Sequence, residues 1–148
     1  MKKLPIFLLA VCIMIGTAVS AQVTKVPQTA KDNFEKQYPA AQNVEWSNDV
    51  LSASVTFTLN DEKMNAEYSN KGIWKSTYKE TSFENLPDAV KNGFRLSKYS
   101  DREVSDVKTV YYPGDVIQYR VKVDKNDVQK KYLFFNTEGK LLRDAITL

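Results

Sequence analysis

Apolar positions along the chain recur with two alternating periods. Val26, Ala30, Phe34 and Tyr38 return every four residues, the single stripe of an amphipathic helix. Pro27 sits in its first turn, where a missing N–H is tolerated, and Pro39 stops it by driving the preceding residue out of the helical region. Leu86, Val90 and Phe94 form a second stripe behind Pro87, predicted to end near Ser97 to Ser100. After each stripe the period becomes two. Val55, Phe57 and Leu59 alternate with Ser54, Thr56 and Thr58, a half-buried strand. Met64, Ala66 and Tyr68 continue it beyond a turn at Asn60-Asp61-Glu62, and Asn70-Lys71-Gly72 turns into a strand from Ile73 to Tyr78. Ile117, Tyr119, Val121 and Val123 make another, followed by a turn at Asp124-Lys125-Asn126-Asp127 and strands over Val128 to Phe135 and Lys140 to Ile146. Shorter strands fall near Val44 to Trp46 and Val107 to Tyr111.

The two series resemble each other. Val26 to Phe34 matches Leu86 to Phe94 at a spacing of 60, with Pro, Lys, Asx and Phe in step. Ala66 to Trp74 matches Leu133 to Leu141 at a spacing of 67, which places extra residues of the second copy around Ser97 to Pro113. Two matches in the same order predict a duplication. The expected fold is α+β: two tandem repeats, residues 22–82 and 83–148, each a helix plus four antiparallel strands, with the helices on one face of the sheet. Whether the repeats share one continuous sheet stays open at this level.

The first 21 residues belong to neither copy. Lys2 and Lys3 precede an apolar run from Leu4 to Ile15, and small residues lead to Val19-Ser20-Ala21. This order predicts a secretory signal peptide, cleaved after Ala21 to leave Gln22 first, and a periplasmic or secreted protein. The run falls short of the roughly 20 apolar residues that span a bilayer. Cys12 follows Val11 rather than a small residue, so it reads as apolar filler within the signal, not as a lipid-bearing cysteine.

Removing 21 of 148 residues leaves 127. The 21 Lys and Arg fall to 19 against 18 Asp and Glu, so a net charge of +3 becomes +1. That balance argues against a nucleic-acid partner and against electrostatic attachment to a membrane after cleavage. The exported chain holds no Cys and no His, hence no disulfide and none of the usual zinc, copper, haem or iron–sulfur ligands. No cofactor and no metal are expected. Nucleophile pairs that depend on His are excluded, leaving carboxylates, Lys and Tyr for acid–base work. The acids fall mostly in turns (Asp61, Glu62, Asp124, Asp127) or helices (Asp32, Glu35, Asp88), where solvation and capping explain them. A calcium loop counted from Asp124 would need Gly and Glu where Gln129 and Phe135 stand, so that segment reads as a hairpin turn. The four glycines of the exported chain are isolated and form no phosphate loop. The chain is therefore read as non-enzymatic, with a carboxylate-based hydrolase as the distant alternative.

Val26-Pro27, Phe34, Tyr38-Pro39, Val44-Glu45-Trp46 and the turn at Gly72 together resemble the PepSY-like secreted proteins, a family also described as similar to β-lactamase-inhibitor proteins. The second copy keeps Leu86-Pro87, Val90, Phe94 and Asn136-Thr137-Glu138-Gly139 but lacks counterparts of Pro39 and Trp46. The resemblance implies a tandem fold outside the cytoplasm, with helices behind a long curved sheet and one face open to a protein. It implies no substrate.

Strand parity gives each aromatic a side. Trp46 shares parity with Val44, and Trp74 aligns with Leu141, so both tryptophans belong with the core. Leu133 and Phe135 align with Ala66 and Tyr68 and should lie beneath the second helix, against Val90 and Phe94. Tyr132 and Phe134 then project from the opposite face with Gln118, Arg120 and Tyr112. An exposed aromatic cluster rimmed by Arg and Lys suits a protein or peptide partner. The alternatives are cover by the loop from Ser97 to Glu103, or by a second copy in a homodimer serving as an envelope structural protein.

Overall fold

A computed structural model describes residues 25–125 and 130–146. The signal segment, Asn126 to Val128 and Gln129 lie outside the described residues. In chain order the elements are α1 (Gln28–Gln37), β1 (Gln42–Asn48), β2 (Ser52–Leu59), β3 (Glu62–Ser69), β4 (Trp74–Glu80), α2 (Asp88–Arg95), β5 (Glu103–Tyr112), β6 (Val116–Asp124), β7 (Lys130–Phe135) and β8 (Leu141–Ile146). All eight strands form one antiparallel sheet in the order β1 to β8. The fold is α+β.

Each helix begins the same way. The carbonyls of Pro27 and Pro87 accept the amides three and four residues on, Ala30 and Lys31 in α1, Val90 and Lys91 in α2. Tyr38, held before Pro39, leaves the helical region at φ −130°, ψ 62°. The second helix stops at Arg95, a little before the expected end, where the Ser97 hydroxyl donates to the Phe94 carbonyl at 2.7 Å. The tightest strand turn is Asn60-Asp61, both left-handed (φ 51° and 64°), a two-residue connection that Asn and Asp tolerate. Gly72 (φ +79°) and Gly139 (φ +82°) press turns against the starts of α1 and α2; a Cβ would strike Thr29 in one case and the Ala89 carbonyl in the other. Asn33 bonds the Gly72 carbonyl at 2.9 Å, while at the corresponding place in α2 Gly93 lets the Gly139 carbonyl come close.

Cross-strand partners share a face, so the register shows which side each helix covers. Ala66 pairs Thr77 and Thr77 pairs Tyr111, while two residues along β5 Thr109 pairs Tyr119 and Val107 pairs Val121, which pairs Leu133. Ala66 packs with Ala30 and Phe34 of α1, and Val121 and Leu133 pack with Val90 and Phe94 of α2. Both helices therefore lie on the same side. The rungs from Thr77↔Tyr111 to Glu80↔Lys108 run without a break between β4 and β5, so the sheet is continuous.

Beneath the helices are two clusters. Phe34 of α1 stands edge-on to Phe57 and Trp46, ring centroids 5.0 and 5.6 Å away, with Tyr38 and Tyr68 beside them. Trp46 and Trp74 are partly buried against this cluster, as parity predicts, and Trp74 Nε1 donates to Thr77 Oγ1 at 2.9 Å. The second cluster joins Leu86, Val90 and Phe94 to Val107, Val121, Val123, Leu133 and Phe135. It also takes in Tyr99, from the loop that was the alternative cover for the opposite face. Tyr99 instead turns to the helix side, where its ring is 3% exposed and its hydroxyl donates to Asp144 Oδ2 at 2.8 Å.

Leu133 and Phe135 are fully buried in the second cluster, as predicted. Tyr132 and Phe134 face the other way, but Phe134 is only 7% exposed, because the Arg143 guanidinium lies over its ring with 3.4 Å between charge centre and centroid. Thermal melts separate these cases. Leu133→Ala should cost about 2–5 kcal/mol and Phe134→Ala should also lie in that core range, whereas Tyr132→Ala should stay within about 1 kcal/mol. Equal losses for Leu133→Ala and Tyr132→Ala would place the register one residue out.

Burial pushes the phenols of Tyr38, Tyr68 and Tyr119 above their ordinary value; the bond to Thr77 offsets this only in part for Tyr38. Each holds its proton more tightly folded than unfolded. Their contribution is complete below about pH 10, the unfolded value, and is lost as pH rises through the higher folded values. The urea midpoint should be level from about pH 7 to 9 and fall above about 10, less steeply in Tyr68→Phe. A midpoint unchanged through strong alkali would contradict this origin.

Candidate partner-binding face

The side of the sheet away from the helices is built by the alternate positions of β4 to β8. One row runs across five strands: Glu80↔Lys108, Lys108↔Arg120, Arg120↔Phe134 and Phe134↔Arg143. A second runs Lys122↔Tyr132↔Ala145, and a third Tyr78↔Val110↔Gln118. Tyr112 lies two residues beyond Val110 on the same side and pairs Val116. All five residues expected on this face, Tyr112, Gln118, Arg120, Tyr132 and Phe134, share it. Four are half-buried; Phe134 is buried.

Val110 shows no exposure and Ser76 only 3%, although no helix among the described residues covers them. The neighbouring long side chains do so instead. The Arg120 guanidinium lies 4.5 Å from the centroid of Tyr132 and 5.1 Å from that of Tyr78, and reaches Asp106 Oδ2 at 3.3 Å. Such stacking holds a guanidinium by its flat faces, and the attraction grows as water is excluded. Lys108 is neutralised by Glu80 at 3.6 Å. Arg143 stacks on Phe134, its guanidinium 3.4 Å from the ring centroid. Burial raises the Tyr112 phenol above its usual value and the nearby Tyr78 adds to this, while Arg143 works against both. Among the described residues no carboxylate lies within ion-pair distance of Arg143.

Tyr78, Asp106 and Arg143 were absent from the sequence-derived set. Parity within the strands from Ile73 and from Lys140 was the signal that could have found Tyr78 and Arg143. Asp106 precedes the strand predicted from Val107, at a register shift between Val104 and Asp106, and had no such signal.

Glu80, Glu84 and Asp106 line a cleft of about 420 Å³ beside the start of β5. Two of them already face cations, Lys108 and Arg120. Glu62 is bound to Lys79 and Asp88 to Lys91. Tyr38, Met64, Trp74, Tyr111, Tyr112 and Ile117 line an apolar hollow of about 280 Å³ beside the β5–β6 turn. No helix among the described residues is long and apolar enough to cross a membrane.

Solved structures of similar shape come from Bacteroides. A DUF2874 family protein from Bacteroides ovatus is 28% identical with a TM-score of 0.73, over 82% of this chain and 88% of that one. A BLIP-like protein from Bacteroides fragilis is 26% identical with a TM-score of 0.73, over 83% and 87%. A protein from Bacteroides eggerthii, titled “putative periplasmic”, is 25% identical with a TM-score of 0.70, over 82% and 89%. None of the curated proteins compared with it matches the chain. The family model described as “Putative beta-lactamase-inhibitor-like, PepSY-like” matches residues 51–143, and the chain belongs to that PepSY-like family.

Proposed function

We propose that this chain is a non-enzymatic binding module working outside the cytoplasm, which recognises a protein or peptide through the uncovered face of its sheet. The observation that carries the reading is the row Arg120–Phe134–Arg143, flanked by Tyr78, Tyr112 and Tyr132 and left uncovered by any other element among the described residues. Aromatic and Arg side chains held in place by one another lose little freedom on binding, which is why such residues anchor interfaces. The BLIP-like description of the B. fragilis structure supports the same reading. Export by cleavage after Ala21 belongs to this proposal, and the periplasmic description of the B. eggerthii structure supports it.

The proposal includes a tandem origin, with repeats at 22–82 and 83–148. Supporting it are the paired helix starts at Pro27 and Pro87, the paired turns at Gly72 and Gly139, and the two separate clusters. A duplicated unit of this kind widens the sheet without enlarging either cluster, and so lengthens the face on offer to a partner.

Affinity capture from the native envelope tests the function. The tagged chain from Gln22 should retain a specific species, and Tyr112→Ala combined with Tyr132→Ala should cut retention by at least about tenfold, as expected when two interface aromatics are removed. Retention equal in wild type and variant would put the binding surface elsewhere. Capture of nothing but its own copy would favour the envelope homodimer.

A further inference from the structure

We infer that Arg143, with Arg120 two strands away, is a receptor for side-chain carboxylates, and that the occupant of this face is an acidic segment of a partner protein. The inference rests on the binding function proposed above and gives the partner its chemistry. Lys108, Arg120 and Arg143 stand in one cross-strand row, a run of like charge relieved only by Phe134. Neighbouring strands lie about 4.8 Å apart, so Arg120 and Arg143 are roughly 10 Å apart at the backbone with an aromatic ring between them. Within the protein Lys108 is balanced by Glu80 and Arg120 by Asp106, but Arg143 faces no carboxylate among the described residues.

The way Arg143 is held matters more than its charge. Its guanidinium lies flat on the Phe134 ring, 3.4 Å from the centroid, and this contact sets the plane of the group. Stacking uses the π faces and leaves N–H groups at the rim, the geometry that takes a carboxylate through two parallel hydrogen bonds. A surface arginine with no such seat would be mobile and worth little in a charge pair. Here the ordering precedes binding. Tyr132, over which Arg120 lies, supplies a half-buried ring beside the same row for an apolar residue next to the acid.

Selection from a random 12-residue peptide library on the immobilised chain from Gln22 tests this. Enriched peptides should carry Asp or Glu beside an aromatic or aliphatic residue. Their affinity should fall roughly 10–100-fold in Arg143→Gln, the range for losing charged hydrogen bonds, and only partly recover in Arg143→Lys, which restores charge without the fork. It should also weaken as salt is raised. Thermal melts of both variants guard against misfolding; a variant that fails to fold is replaced by Phe134→Leu, which removes the ring that seats Arg143 and should weaken the same peptides. Enriched peptides without acids, or binding indifferent to Arg143→Gln, would overturn the inference; if Tyr132→Ala still abolishes that binding, the open-face function stands alone. Failure to enrich any peptide overturns the acidic-segment inference, while envelope capture separately decides the broader function.

Discussion

Everything in this molecule hangs on the alternation of side chains across a single unbroken antiparallel sheet. The rungs between β4 and β5 carry that alternation past the point where α2 leaves the sheet. Because of them, residues facing α1 and residues facing α2 are on one side, and Arg120, Tyr132 and Phe134 are on the other. A shift of one residue at this seam would turn the second half over and bury the arginine row under a helix. The hydrogen bond from Thr81 N to the Val107 carbonyl, 3.1 Å, prolongs the contact beyond the last rung.

With Cys12 its single cysteine, the chain can form no internal disulfide, so its stability rests on the two apolar clusters. Between them Thr77 is fully buried, yet it is bonded by the Tyr38 hydroxyl at 2.7 Å and the Trp74 indole. Satisfying that hydroxyl twice lets a polar residue sit at the seam without the cost of an unpaired group. On the other face Phe134 is shielded by the Arg143 guanidinium, not by any helix among the described residues. That solution keeps water from apolar surface and leaves charge and aromatic edges facing outward, which joins the stability of the sheet to its proposed use.

Much of this was written in the spacing of apolar residues. Period four gave α1 and α2, period two gave the strands, and parity put Leu133 and Phe135 inside with Tyr132 opposite them. Continuity across β4 and β5 was not legible, because these strands are joined through a helix and no short turn marks their pairing. The path of the Ser97 to Glu103 loop was not legible either: it has no period, and the structure packs Tyr99 with Val107 and Leu133. Phe134 was assigned the right face but the wrong exposure. Its cover is Arg143, brought alongside by the β7–β8 register, and parity within one strand carries no information about which neighbour lies above it.

Site-specific photo-crosslinking in the native envelope addresses the central claim most directly. A photo-reactive phenylalanine analogue replaces Tyr132 on the open face or, in parallel, Lys36 on the exposed side of α1. The account predicts a discrete protein adduct from position 132 and none from position 36. Adducts from position 36 with none from 132 would contradict it and move recognition to the helical side.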